Sequence, residues 1–153
     1  MRIIKDTNGN EWKLDLNIYT AKTLVNYLES LDQKVDLFDA AEFLPRASSI
    51  LFAVDVLAVL TYDERTARGV SDVDFGRALK GGYAYEAQRA LLKEYADFFP
   101  DPSLSETLKK SLERLEEASL REQQIVETVL NQAITEREQQ ITDLAREVGS
   151  NIS

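Results

Sequence analysis

The sequence contains no cysteine and no histidine. That removes disulfides, thiolate and imidazole metal ligands, cysteine nucleophiles and the commonest general base, so any catalysis would have to run on carboxylates, Lys, Arg, Tyr or Ser. Positive charge is scarce: 18 Lys and Arg face 27 Asp and Glu, for a net charge of -9. A chain of that sign repels nucleic acid and anionic lipid, and basic partners suit it better. Long apolar runs are missing too. The longest, residues 50–60, is about half a membrane span and carries Asp55 inside it. The opening residues MRIIKDTNGN form no apolar signal region, which points to a cytoplasmic protein.

Aromatic residues are absent from one part of the chain. All thirteen lie at or before Phe99, and everything from Ser103 onward is aliphatic, polar or charged. This shift, with Pro100 and Pro102 beside it, divides the 153 residues into a globular part, 1–102, and a long helical extension, 103–153. The expected fold is mainly α: a short N-terminal β-hairpin, a helical bundle, and a long C-terminal helix with coiled-coil character.

The hairpin rests on alternation around Asn8 and Gly9, with Trp12, Leu14 and Leu16 spaced by charged residues, because Asn-Gly accepts positive φ cheaply. Thr20 is a candidate cap for a first helix carrying Leu24, Leu28 and Leu31. Asp36 is one for a short helix stopped by Pro45. Residues 46–61, RASSILFAVDVLAVLT, are apolar nearly all round, the pattern of a buried central helix. A further amphipathic helix spans 84–98.

Between these lies GVSDVDFGRALKGG, residues 69–82. Gly69 suits a left-handed turn. Ser71 and Asp74 approximate a capping box, and Phe75, Ala78 and Leu79 fall on one face of a short helix over 72–79. Gly76 would permit close approach of a neighbour, and Gly81 or Gly82 would stop the helix. The glycines bracket the wrong end for a phosphate cradle. Asp72 and Asp74, two apart, point away from each other and form no acid/base pair. Asp55 interrupts the most apolar segment, where an unpaired carboxylate is costly. The expected partner is Arg77, with Arg46 and Arg68 in reserve, the pair fixing the short helix on the central one. No spacing sets a second acid or base beside Asp55, so a catalytic role is disfavoured.

The hairpin, DLFDAAEFL, ILFAVDVLAVL, ARGVSDVDFGRALKGG and ALLKEYADFFP together resemble a family of small proteins coded in the tail-gene regions of long-tailed bacteriophages and prophages. Members are taken to be tail assembly chaperones. The resemblance covers roughly residues 1–102 and is most specific in GVSDVDFGRAL and ADFFP. It implies a mainly helical, non-enzymatic protein in the cytoplasm of the infected bacterial host. Such a protein binds the tape measure protein and helps tail tube protein assemble around it. It brings no catalytic or cofactor residues; no metal site is expected, and the net charge of -9 argues against nucleic acid and membrane as partners. A structural or scaffolding component of the phage particle is the alternative.

The extension has its own pattern. Ser103 and Glu106 form a capping box, and no Gly or Pro follows from Leu104 to Val148, which allows one helix of about 45 residues and roughly 65 Å. Leu108, Leu112 and Leu115 make one apolar stripe. Val126, Leu130, Ile134, Ile141, Leu144 and Val148 make another, with coiled-coil spacing from Leu130 if Arg137 is counted in the seam. A lone helix with so thin a stripe frays, so self-association or capture of a long helical partner is expected. A helical hairpin folding back near Ser119 or Gln132 is the alternative.

Overall fold

The structure, a computed structural model, describes residues Met1–Ile152; Ser153, the last residue of the expected extension, lies outside them. Strand β1 (Arg2–Lys5) pairs antiparallel with β2 (Glu11–Leu14), Ile4 opposite Trp12. The pleat turns Ile4, Trp12 and Leu14 into the core. Gly9 takes φ 83° in the connection, a conformation that costs glycine little. Asp6 organises the rest of that turn, as described below.

Helix α1 (Ile18–Ser30) starts one turn earlier than a Thr20 cap would place it. Asn17 is the cap: its side chain accepts from the Thr20 amide, and the Thr20 hydroxyl accepts from the Asn17 amide. Ala21, Leu24 and Leu28 face inward. Helix α2 (Ala40–Ala47) is capped by Asp39 rather than Asp36, and Pro45 sits inside it instead of ending it. A proline there costs one helical bond. The helix ends at Ser48, whose carbonyl and that of Ala47 accept from Gln88 Nε2 at 2.9 and 2.8 Å.

Helix α3 (Ile50–Leu60) follows at 105° to α2. It buries Ala53, Val56 and Leu57 but leaves Leu51 81% exposed, so it is half surface rather than apolar core on every side. Helix α4 (Tyr62–Ala67), which no local signal announced, leads through Gly69 at φ 71° to α5 (Asp72–Arg77). Ser71 caps α5 by accepting from the Asp74 amide, and Phe75, Ala78 and Leu79 are buried as their spacing implies. Gly76 meets no atom where a Cβ would stand, so close approach is not its role. Gly81, at φ 53°, does not stop α5 but starts α6 (Gly82–Phe98).

The central element is α6, which packs against β1, β2, α2 and α3. Tyr95 stacks on Phe43 with ring centroids 4.2 Å apart and donates its hydroxyl to the Leu37 carbonyl at 2.7 Å. Phe98 and Phe99 follow, and Pro102 opens α7 (Pro102–Ile152). Two compact units result, Met1–Leu112 and Glu113 onward. The boundary falls after Leu112 rather than at Pro102 because the first turns of α7 belong to the globular unit. There Leu108 and Leu112 are buried, and the Ser105 hydroxyl donates to the Ala96 carbonyl at 2.8 Å.

Candidate functional site

The expected pair of Asp55 and Arg77 does not form. Both side chains are exposed, and neither enters an ion pair among the described residues. Asp55 follows Leu51 by one helical turn, on the surface face of α3, where water solvates the carboxylate and no counter-ion is needed.

The arginine that holds this region is Arg65, only 2% exposed. Its Nε donates to Thr61 Oγ1 at 3.1 Å, Nη1 to the Val70 carbonyl at 3.1 Å, and Nη2 to the Ala58 carbonyl at 2.6 Å. Nη2 also meets Asp72 Oδ1 at 2.6 Å, while the guanidinium lies over the rings of Phe75 and Tyr62. One planar cation therefore ties the C-terminal end of α3, the α4–α5 turn and the first turn of α5 together. This is the docking role expected of Arg77, performed by another residue.

Two carboxylates tie down the hairpin. Asp6 is buried; its Oδ1 accepts from the amides of Asn8 and Asn10, its Oδ2 from Asn10 Nδ2 and, at 3.1 Å, from Trp12 Nε1. Burial pushes this carboxyl up, but the hydrogen bonds from Trp12, Asn10 and Asn8 outweigh it and hold the group below the usual carboxylate range. Glu94 of α6, also buried, accepts from Arg2 Nη1 at 2.9 Å and from the Leu16 amide at 3.4 Å. Arg2 Nη1 donates as well to Asp97 at 2.6 Å, and Asp97 meets Lys109 of α7 at 2.8 Å. The Lys109 bond first, then Arg2, keep the Asp97 carboxyl low despite its partial burial. All these groups are satisfied within the fold and have structural roles. No group of three or more potential metal ligands occurs among the described residues.

The globular unit carries an apolar groove. An open groove of about 810 Å³ runs between α1 and the segment 34–38 that precedes α2. Val35 and Leu37, both buried, and Val25 form its floor; Ile18 and Phe38, each 56% exposed, form its apolar rim. Lys22 and Lys34 stand at its edge with Glu29 and Glu42, so both signs of charge frame an apolar floor. Sequence reasoning missed this feature because it depends on how the irregular segment 34–38 is laid beside α1; an unexplained Phe38 was its only local trace.

The predicted stripe is on the second unit. Leu130, Ile134, Ile141, Leu144 and Val148 are between 55% and 60% exposed. At 100° per residue they fall with Arg137 within an arc of about 80° along roughly 27 Å of helix. The helix runs through Ser119 and Gln132 without a break, so the fold-back at those residues does not occur. No single helix among the described residues is long and apolar enough to cross a membrane; the bent pair α2 and α3 passes only by length and composition taken together. No family model matches this chain, and neither a curated protein nor a solved structure matches it.

Proposed function

We propose that this protein is a non-enzymatic phage tail assembly chaperone that works in the cytoplasm of the infected bacterial host. In this reading it binds a helical stretch of the tape measure protein in the groove between α1 and segment 34–38 and assists assembly of the tail tube around it. The observation that carries the proposal is the groove itself: an open apolar trough, rimmed by half-exposed Ile18 and Phe38, inside the part of the chain that resembles the tail-gene family. An amphipathic helix recognises such a surface by laying one apolar stripe into it, with charges of both signs at the edge setting the register.

The test is co-expression of the full chain with the adjacent tape measure protein, followed by affinity capture of the complex. Ile18→Asp and Phe38→Asp, with folding checked by the fluorescence of Trp12, should abolish capture, and Arg77→Met should leave it intact. Failure of the natural chain to capture the tape measure protein would sink the proposal, and capture that survives both groove variants would remove the groove from it. Stoichiometric presence of the chain in purified virions would favour the structural or scaffolding alternative.

A further inference from the structure

The exposed seam of α7 is separate from the groove and carries a separate conclusion. We infer that a second copy of this chain covers it, α7 against α7 in antiparallel orientation about a two-fold axis at Gln139. The spacing of Leu130, Ile134, Arg137, Ile141, Leu144 and Val148 alternates four and three residues and is symmetric about residue 139. Reversing one helix about that point therefore matches the seam to itself without a gap. Leu130 meets the partner's Val148, Ile134 meets the partner's Leu144, and Arg137 meets the partner's Ile141.

Arg137 decides the orientation. In a parallel, in-register pair the seam would bring Arg137 and the partner's Arg137 into one layer, two fixed positive charges side by side in an apolar strip. The antiparallel pair moves them into different layers. Each aliphatic stem then lies along the partner's Ile141, and its guanidinium reaches toward the partner's Glu138, giving alternating charges around the two-fold axis. Along one edge of the seam Ala133 is small and Gln140 is neutral; along the other Ala145 is small, and the two copies of Glu138, which lie near each other across the axis, are offset by the two Arg137 guanidinium groups. Gln139 faces away and is engaged within its own helix, donating to Asp143 at 3.0 Å. A helix this long with a one-sided apolar stripe needs a cover to resist fraying, and its own chain offers a complementary one.

The absence of cysteine permits a direct test on the full chain. With the axis at residue 139, residue 130 shares a layer of the seam with the partner's residue 148, whereas the two copies of residue 144 are about 15 Å apart along the helix axis. A parallel pair would instead place both copies of residue 144 in one layer. Under mild oxidation an equimolar mixture of Leu130→Cys and Val148→Cys chains should yield a covalent heterodimer, and Leu144→Cys alone should not couple. Light scattering on the natural chain should give twice the monomer mass, halved by Ile134→Asp. A monomeric natural chain, a disulfide in Leu144→Cys, or a dimer in which the Leu130→Cys and Val148→Cys chains do not couple would each overturn the inference. This conclusion does not rest on the tail assembly reading, and either can fail without the other.

Discussion

Replacing Arg65 with Met is the most informative perturbation of the globular unit. Met keeps the apolar volume of the stem and removes the charge and all five donors. Three hydrogen bonds from a buried guanidinium disappear, to Thr61, Val70 and Ala58, and the two carbonyls lose their side-chain partner. Bonds to a charged group contribute roughly 1.5–3 kcal/mol each when removed singly, but three on one side chain are not additive. The Asp72 side chain is 66% exposed, so that ion pair adds less than about 1 kcal/mol. The contacts with Phe75 and Tyr62 add a similar amount. The expected loss is about 3–5 kcal/mol, or a midpoint about 2 M lower in urea for a slope near 2 kcal/mol per M. Trp12 makes the measurement specific: it is the only tryptophan, fully buried, and packs edge-on against Phe75 at 5.9 Å. Its fluorescence follows the globular unit without the signal of the long helix. Arg65→Lys should fall between the two, since one ammonium cannot serve three separated acceptors. Arg77→Met should change stability by less than about 0.5 kcal/mol. A loss below about 1 kcal/mol in Arg65→Met, or an equal loss in Arg77→Met, would refute the assignment.

Other outcomes follow from the turns. The depressed Asp6 carboxyl stabilises the fold above the ordinary Asp value near 3.9 and loses that contribution as pH falls through its lower, folded-state value. Acid titration of Asp6→Asn should therefore show a shallower decline below about pH 4, from a starting stability about 1–3 kcal/mol lower; an unchanged acid limb would show that Asp6 does not drive it. Gly81→Ala should cost about 1–3 kcal/mol because its backbone, at φ 53° and ψ -123°, is strained for any side chain. Gly76→Ala, in a helix with open space at the Cβ position, should be stabilising by about 0.5–1 kcal/mol. Thermal melts of the pair would overturn this reading if their signs were reversed.

Where local chemistry alone dictates the backbone, the sequence was legible. Asn8 and Gly9 marked the hairpin, Gly69 the left-handed turn, and Ser71 the start of α5, since each feature depends on residues within one turn of chain. The fold class and the long helix after Pro102 were legible for the same reason, as a composition shift and an uninterrupted helical pattern. Asp55 was misread because hydropathy counts neighbours along the chain. The run 50–60 is apolar on average, yet α3 turns Leu51 and Asp55 outward and buries only Ala53, Val56 and Leu57. Arg65 was invisible for the converse reason. In TYDERTARG it looks like one charge of a solvated turn, and only the closure of α5 over α4 covers it. Gln88, which serves the end of α2 from forty residues away, and the groove beside segment 34–38 are likewise tertiary products.

The anchoring of the hairpin by Glu94 bears on the order in which the molecule can be made. A two-stranded hairpin is marginal in water without a third element to pack on, and here Arg2 finds its carboxylates 92 and 95 positions further along the chain. During synthesis the first strand therefore emerges long before α6 exists to receive it. The N-terminal segment must wait as an unfinished edge while about two-thirds of the protein is added, and closure of that long loop should come late in folding. Its exposed strand groups are then vulnerable to pairing with neighbouring chains, a period that charged Arg2, Lys5, Glu11 and Lys13 along the two strands help it survive.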